Sequence, residues 1–516
     1  MQNALKVEIK RLSRRAFKKA LRLKKNEEKY RKQFEKRTGQ IAGVAKPKGL
    51  AITHKHFDPV YCSRNANFLA KTIWHKVLEN TYEPIPAVHY QLPKPDGKKR
   101  DIMAFSIPDA ALANVILIRA RERNRKRLSP SSYAYHPDKN VFDAILAISE
   151  FKPENKLFAV QIDFEKYFDN IPSWYLKNRI NDAEKISLTP HERYIFDRFI
   201  HHQFALHSEY GLGVFKRRHK GTPQGSSVSL LLANIANHDL DVKLSASSGR
   251  FVRFADDVLA LCDDYSQAQQ LERCFVSHCA NSGLIINLKK SPGIAIISNN
   301  EQEIRSYKHI DYLGYRLSSG GLSMPDRTAQ RIRARASRLI NLYLIQYLDI
   351  GFNVNRASIA PYAFDWDLLG LIYEVRRSLY GGLSESELEG FIQKGKKLRK
   401  MKGLMGFYSL LEDSHSLKEL DGWLLSTIRR AMKERNIILQ SKYGMQCPTP
   451  SNKELATGTW LDLKSWRGES PPEVRVPSLV RGWRAARKYF FTFGLESVQP
   501  PTYGSYTDID DLFDYQ

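Results

Sequence analysis

Two kinds of hydrophobic spacing follow one another along this chain of 516 residues. Between residues 157 and 325, short apolar runs typical of strands alternate with helical stretches; they read LFAVQIDF, FVRFADDVLALC, GLIINL and IDYLGYRL. From residue 326 onward helical spacing dominates, as in DRTAQRIRARASRLINLYLIQYL and LKELDGWLLSTIRRAMKER. The pattern predicts an α+β unit built around a sheet, followed by an α-helical region.

The segments outside this middle region carry many basic residues. Residues from about 5 to 37 lack Gly and Pro and are rich in helix-forming side chains, which predicts one long basic helix that faces either a phosphate backbone or solvent. HYQLPKPDGKKRDIMAF predicts a hairpin with Pro95-Asp96-Gly97 as its turn. Near the end, VPSLVRGWRAARKYFFTF predicts a helix with a basic stripe, on which nucleic acid or an acidic neighbour could dock; the stripe comprises Arg481, Arg484, Arg487 and Lys488.

Breaks in these patterns divide the chain into five predicted parts. Gly and Pro in AGVAKPKGLA place a boundary near residue 45. We expect a basic N-terminal helix, a region carrying the hairpin, the sheet-containing unit, a helical domain, and a last segment with a basic helix and an acidic tail. Their ranges are 1–45, 46–156, 157–325, 326–440 and 441–516.

Composition favours a polyanionic partner. The 81 Lys and Arg residues against 55 Asp and Glu leave a formal charge of +26, which attracts nucleic acid through counterion release, although a basic protein can simply be soluble. Five scattered cysteines form no C-x-x-C pair, so neither a zinc ribbon nor a disulfide framework is indicated. No apolar stretch suits a bilayer span, and the first residues lack a secretory signal, so we expect no membrane association and a cytoplasmic location.

Two adjacent carboxylates are the first sign of chemistry. In FVRFADDVLAL, Asp256 and Asp257 lie between two apolar, strand-prone runs, which places them at a tight hairpin turn. Such a pair is often a solvated hairpin tip. In apolar surroundings, however, adjacent carboxylates repel each other and are costly to bury unless a cation compensates them. Hard oxygen ligands favour Mg²⁺.

A third carboxylate lies at the end of another apolar run. Asp163 follows LFAVQI, where the strand pattern gives way to a turn and a helix. If that strand lies beside the hairpin carrying Asp256, the carboxylates can hold two Mg²⁺ ions about 3.5 to 4 Å apart, as phosphoryl transfer by paired metals requires. One metal would activate a 3′-hydroxyl and the other would stabilise the leaving pyrophosphate.

Seven blocks in order over residues 85 to 325 resemble the motifs of reverse transcriptases, specifically the bacterial branch akin to group II intron enzymes. They are LPKPDGKKRDI, SSYAYHPDKNVFDAI, IDFEKYFDNI, KGTPQGSSVSLLLANI, FADD, NLKKS and YLGYRL. The resemblance implies a right-hand polymerase, with fingers, an antiparallel palm sheet, a helical thumb and an α-helical C-terminal extension. It also implies an RNA-directed DNA polymerase, a nucleotidyltransferase that uses Mg²⁺, with Mn²⁺ as a possible substitute.

The resemblance also assigns roles to the catalytic residues. Asp163, Asp256 and Asp257 would be the catalytic metal ligands, with the Phe164 carbonyl as a further metal contact. Lys290, in NLKKS, would donate a proton to pyrophosphate.

Five further positions match the family's nucleotide-binding residues. Lys94 and Arg100 would grip the triphosphate of the incoming nucleotide through charge-assisted contacts. Phe168 is at the position of the steric gate, where a bulky ring excludes a ribose 2′-hydroxyl. Gln224 and Gly225 would shape the pocket for nucleotide and template, since Gly lets a backbone approach closely.

Departures from the family pattern narrow the resemblance. His136, Asp138 and Leu230 replace the usual arginine, glycine and proline. The chain also lacks an H-N-H endonuclease segment with cysteine pairs and the V-T-G signature of retron enzymes. What remains looks like the standalone bacterial reverse transcriptases of antiphage defence, including abortive-infection types.

Three functional hypotheses stay open at this point. The chain could make DNA from dNTPs on a bound non-coding RNA template, it could be a catalytically silent RNA-binding scaffold, or it could perform templateless or protein-primed synthesis. The intact carboxylates favour the first. Helical surfaces in the C-terminal half could also support a homo-oligomer.

Overall fold

A computed structural model describes most of the chain. The described residues are 1–41, 53–93, 99–150, 157–247, 250–298, 306–318, 320–346, 348, 365–399, 401–464, 466, 468 and 471–494. They form two compact units. The first unit comprises residues 1–26 and 46–308, and the second comprises residues 27–45 and 309–516.

Two sheets organise the first unit. One has four strands in the order β2-β1-β4-β5, and the other has five in the order β6-β7-β3-β8-β9. The strands are β1 (Ala87–Pro93), β2 (Lys99–Ala104), β3 (Leu157–Ile162), β4 (Gln203–Leu206), β5 (Lys216–Arg217), β6 (Arg250–Phe254), β7 (Asp257–Cys262), β8 (Gly293–Ile297) and β9 (Ser306–Tyr307).

Helices surround these sheets in the first unit. The long helix α1 (Gln2–Thr38) confirms the predicted basic helix, and its residues up to Asn26 belong to this unit. The others are α2 (Pro59–Arg64), α3 (Ala66–Leu78), α4 (Ile107–Arg123), α5 (Val141–Ser149), α6 (Tyr167–Asn170), α7 (Ser173–Asn181), α8 (Pro190–Ile200), α9 (Val228–Ala236), α10 (His238–Ala246) and α11 (Tyr265–Ser282).

The central strand β3 is buried because it has neighbours on both sides. It pairs antiparallel with β7 and with β8, and five of its six residues are buried. This explains why LFAVQI is an apolar run without strict alternation. The hydrophobic core of this unit includes Val160, Val258 and Phe275. The strands next to Asp163 and Asp257 are therefore held in place by core packing.

The second unit is mainly helical, as predicted. A small antiparallel sheet contains β10 (His309–Tyr312), β11 (Tyr315–Ser318) and β12 (Gly321–Ser323). The helices are α12 (Asp326–Asn341), which continues into a π-helical turn at Leu342–Gln346, then α13 (Trp366–Tyr380), α14 (Glu385–Lys394), α15 (Gly403–Phe407), α16 (His415–Tyr443), α17 (Asn452–Thr457) and α18 (Leu479–Phe493). The five-part domain division stays a prediction.

Two strand predictions need correction. GLIINL forms no strand: apart from one isolated bridge between Ile286 and Phe164, it is a loop. Its backbone bonds to the residues just beyond β3, since the Glu165 N–H donates to the Ile285 carbonyl and the Asn287 N–H donates to the Asp163 carbonyl. IDYLGYRL is not one run but a hairpin, with a two-residue turn at Leu313 and Gly314, both with positive φ. A turn of this type matches the twist of the flanking strands.

Most side chains of the basic stripe on α18 form ion pairs or hydrogen bonds within their own unit. Arg481 forms an ion pair with the buried Glu385, Arg487 donates to the Leu411 carbonyl, and Lys488 donates to two carbonyls at the end of α14. The structure therefore supports the acidic-neighbour interpretation for Arg481. Arg484 and Lys488 are the exposed members of the stripe.

No helix in the described part of the chain is both long and apolar enough to cross a membrane.

Candidate active site

A tight hairpin turn carries the adjacent carboxylates, as the sequence predicts. Phe254 at the end of β6 pairs with Asp257 at the start of β7, so the loop consists of Ala255 and Asp256 alone. Ala255 has φ 61°, the left-handed conformation that the first loop position of a type II′ turn requires. An L-residue adopts it at a cost of about 1–2 kcal/mol, and such strain often accompanies functional turns.

The strand pairing brings Asp163 next to this turn. Ile162, the last residue of β3, lies opposite Val258 of β7. Because the two strands are antiparallel, Asp163, which follows Ile162, lies beside Asp257, which precedes Val258. The loop formed by residues 285–291 then encloses Asp163. Asn287 Nδ2 donates to Asp163 Oδ2 at 2.9 Å, and Lys290 Nζ lies 3.3 Å from the same oxygen.

Mutual repulsion and burial perturb the two turn carboxylates. Burial raises the pKa of Asp256 from 3.8 to about 6, with the charge of Asp163 adding to the rise. Burial raises the pKa of Asp257 to about 7, with repulsion from Asp256 and Asp163 as the next causes and a hydrogen bond with Gln161 opposing it. The three carboxylates are therefore close enough to couple electrostatically, and a bound cation would relieve this coupling.

These residues fit Mg²⁺ by their chemistry, although they are not a ready-made cage. Within the described ranges, no group of three or more His, Cys, Asp or Glu side chains is already arranged to hold a metal ion. Mg²⁺ does not need one, because it commonly binds one or two carboxylates and fills its other positions with water and substrate phosphates. The raised pKa values of Asp256 and Asp257 are the observation that favours a cation here. Phe164 is buried beside Asp163, and its carbonyl as a metal contact stays a prediction.

Two basic residues face this acidic cluster. Arg100, on β2 opposite Leu92, is near enough for its charge to lower the pKa of Asp256, and Lys290 acts in the same direction. Lys290 remains 69% exposed although it pairs with Asp163, so its ammonium group can move. Lys94, the other residue predicted to hold the triphosphate, lies outside the described residues.

Phe168 is held by the loop that precedes α9. The Thr222 N–H donates to the Phe168 carbonyl at 2.6 Å, and a Cβ at Gly221 would lie 2.5 Å from that same oxygen. Only glycine permits this approach. The backbone of Phe168 is thus fixed by Thr222 and Gly221, and its role as a steric gate stays a prediction.

Gln224 and Gly225 connect this loop to β2. The Met103 N–H donates to the Gln224 carbonyl at 2.7 Å, and a Cβ at Gly225 would lie 2.3 Å from the Met103 carbonyl oxygen. Gly225 also has φ 118°, which disfavours any other residue. The structure therefore brings Phe168, Gln224 and Gly225 together through backbone contacts.

Some residues at the site were not identified from the sequence. Asn287 and Ser291 both bond to Asp163, Ser291 by accepting from its N–H, and the NLKKS block that drew attention to Lys290 contains both. Asp169 accepts hydrogen bonds from Gln224 and Arg218, although it directly follows Phe168 in sequence. All three lie within blocks that resemble the family's motifs, so a polar side chain inside such a block was the signal available.

Comparison with known proteins agrees with this geometry. Residues 92–317 match the family model described as reverse transcriptase (RNA-dependent DNA polymerase). Protein YkfC of Escherichia coli (strain K12) is 24% identical over 174 residues, which cover 32% of this chain and 42% of that protein. The telomerase reverse transcriptase of Mus musculus is 31% identical over 132 residues, which cover 25% of this chain and 12% of that protein. The chain thus spans less than half the length of either relative.

Solved structures of telomerase resemble the chain more distantly. Apo telomerase from Candida tropicalis, truncated from its C-terminal domain, has a TM-score of 0.36 and 14% identity, covering 52% of this chain and 67% of that one. Telomerase from Candida albicans, in complex with a fragment of telomeric RNA, has a TM-score of 0.36 and 13% identity, covering 74% and 67%.

The family match establishes the fold. Residues 92–317, which match the reverse transcriptase family model, have the mixed sheets of a right-hand polymerase fold, and the chain continues into a helical region.

Proposed function

We propose that this protein is a reverse transcriptase that adds dNTPs to a 3′-hydroxyl on an RNA template, with two Mg²⁺ ions held by Asp163, Asp256 and Asp257. The observation that carries the proposal is the convergence of these three carboxylates, from β3 and the β6–β7 turn, inside a region that matches the reverse transcriptase family. The raised pKa values of Asp256 and Asp257 favour a site that binds cations.

Each residue then has a defined task. When bound, the metal ions supply Lewis acidity and offset the charge that develops on the transferring phosphoryl group. Asp163, Asp256 and Asp257 would hold those ions. Arg100 and Lys94 bind the triphosphate, and Lys290 donates a proton to the departing pyrophosphate.

Selection of the nucleotide depends on the loop before α9. Because the Phe168 backbone is fixed by Thr222 and Gly221, its ring can exclude a 2′-hydroxyl by steric contact. Gln224 and Gly225 form the adjoining wall.

We extend the proposal to a standalone bacterial enzyme of antiphage defence that retains a non-coding RNA in the cytoplasm. The likeness of the motifs to that branch and the formal charge of +26 support this part. A homo-oligomer through helices of the second unit stays a prediction.

The test compares the wild type with Asp256→Asn and with the control Asp263→Asn, which changes an exposed acid just after β7. Co-purifying RNA is sequenced, and incorporation of each labelled dNTP is measured with Mg²⁺ and with Mn²⁺. We expect incorporation by the wild type and Asp263→Asn, none by Asp256→Asn, and the same bound RNA in all three. Equal activity of Asp256→Asn would refute the site assignment. A defined RNA without incorporation by any protein would favour the scaffold.

A further inference from the structure

A buried arginine lies directly behind the carboxylate turn. Arg253, on β6 two residues before Ala255, has 0% of its surface exposed. A guanidinium group has five N–H donors, and here each of them has an acceptor. The acceptors are the two Asp241 oxygens at 2.6 Å, the Asn234 side-chain oxygen at 3.1 Å, Ser132 Oγ at 2.9 Å and the Ala255 carbonyl at 2.9 Å.

Stability alone does not account for this arrangement. Taking both charges of an ion pair out of water costs several kcal/mol per ion, and well-packed apolar residues often serve a core equally well. The Arg253 and Asp241 side chains are both almost completely buried. Packing alone therefore does not explain why an arginine is buried here, whereas its hydrogen bond to the Ala255 carbonyl in the turn does.

The bond to Ala255 fixes the peptide unit that carries Asp256. The Ala255 carbonyl and the Asp256 N–H belong to the same planar peptide. Arg253 holds the carbonyl at 2.9 Å, and this fixes the direction of the N–H on the other side of the same peptide plane. Rotation of this peptide would change ψ of Ala255 and φ of Asp256, and with them the direction in which the Asp256 side chain leaves the turn.

The other contacts of Arg253 anchor it to a rigid frame. Asp241 lies on α10 and Asn234 on α9, the helix that follows the Gln224–Gly225 loop. The Arg253 backbone also bonds on both sides to the segment carrying Ser132, with its N–H donating to Ser131 and its carbonyl accepting from Tyr133, each at 2.9 Å.

We propose that Arg253 is a positioning residue, which locks the Ala255–Asp256 peptide so that the Asp256 carboxylate is presented to the metal ions. It touches neither substrate nor metal and acts through Asp256. This inference rests on the proposed function for its catalytic meaning, but its effect on metal binding can be measured without catalysis.

The test uses Arg253→Lys, which keeps the charge but cannot form the five-bond fork, and the control Arg250→Lys, an exposed arginine on the same strand. Mn²⁺ binding is measured by electron paramagnetic resonance, the Mg²⁺ concentration for half-maximal incorporation by titration, and hydrogen exchange at the amides of residues 255–257. We expect Arg253→Lys to bind Mn²⁺ at least 10-fold more weakly, to need correspondingly more Mg²⁺, and to exchange faster at the turn. Arg250→Lys should match the wild type.

A purely structural role gives a different result. A lower melting temperature of Arg253→Lys with unchanged Mn²⁺ affinity, Mg²⁺ requirement and turn exchange would overturn the proposal. If Arg253→Lys does not fold, Ser132→Ala removes one support from the guanidinium at almost constant volume, and Mn²⁺ affinity should fall about 2- to 5-fold. Unchanged affinity in Ser132→Ala would then count against the proposal.

Failure of the proposed function can be told apart from failure of this inference. If the wild type incorporates no dNTP but binds Mn²⁺, and Arg253→Lys binds it more weakly, the polymerase proposal fails while the positioning role stands. If the wild type polymerises and Arg253→Lys keeps its metal requirement, only the positioning role fails. A wild type that neither polymerises nor binds Mn²⁺ overturns both.

Discussion

Neutralising Asp256 should stabilise the metal-free protein. Burial raises the pKa of this carboxylate from 3.8 to about 6, so above that pH the folded protein holds a charge that the unfolded chain solvates more easily. A difference of about two pH units, at 1.36 kcal/mol each, corresponds to a cost on the order of 3 kcal/mol. Asp256→Asn removes the charge and keeps the side-chain shape.

The sign of the pH dependence follows from the raised pKa. Between pH 4 and pH 6 the folded state binds more protons than the unfolded state, so the wild type loses stability as the pH rises through this window. Above about pH 6 to 7 the loss is complete. The advantage of Asp256→Asn should therefore be absent near pH 4 and full near pH 8.

The assay is urea unfolding in EDTA at several pH values, followed by the same series in excess Mg²⁺. Mg²⁺ should stabilise the wild type at pH 8 by binding the folded state, and should do so much less for Asp256→Asn. Asp263→Asn is the matched control and should follow the wild type throughout. A free energy of unfolding for Asp256→Asn that equals the wild-type value at pH 8 in EDTA would refute the reasoning, as would a gain independent of pH.

Three further substitutions test other parts of the structure. Phe168→Ala should admit rNTPs by removing the ring that excludes the 2′-hydroxyl, measured as the ratio of rNTP to dNTP incorporation; an unchanged ratio would contradict the gate. Gly225→Ala places a Cβ 2.3 Å from the Met103 carbonyl at φ 118°, so incorporation should fall at least 10-fold, whereas wild-type kinetics would show that the loop can yield. Arg435→Ala leaves Asp365 without the buried cation it contacts, and should cost about 3–5 kcal/mol in urea unfolding; an effect as small as that of the exposed Arg429→Ala on the same helix would argue against a buried ion pair.

Local patterns in the sequence were enough to predict the elements of the site. FVRFADDVLAL forms the expected hairpin because apolar strand-forming residues flank a pair of turn residues. Helix α1 forms because none of its 37 residues is a Gly or a Pro. The placement of Asp163 required β3 to pair with β7, a contact between distant segments that the pattern could state only as a condition.

Other features depended on tertiary contacts that spacing does not reveal. GLIINL has the composition of a strand, yet hydrogen bonds from Asn287 to Asp163 hold it as a loop. The stripe of α18 has the spacing of a nucleic-acid surface, yet Arg481 pairs with Glu385, nearly 100 residues earlier. Arg253 resembles any arginine in an alternating strand, and only the fold shows that it is buried.

Lys290 acts as a counter-ion for Asp163 in the proposed enzyme. The Lys290 ammonium group lies 3.3 Å from the Asp163 carboxylate, and the Lys290 side chain is 69% exposed. A divalent ion could therefore displace the ammonium group without a change in the backbone. Asp163 is therefore charge-compensated in the metal-free protein. In such an enzyme the carboxylate would keep a cationic partner whether or not a divalent ion were bound, since Lys290 would pair with it in the ion's absence.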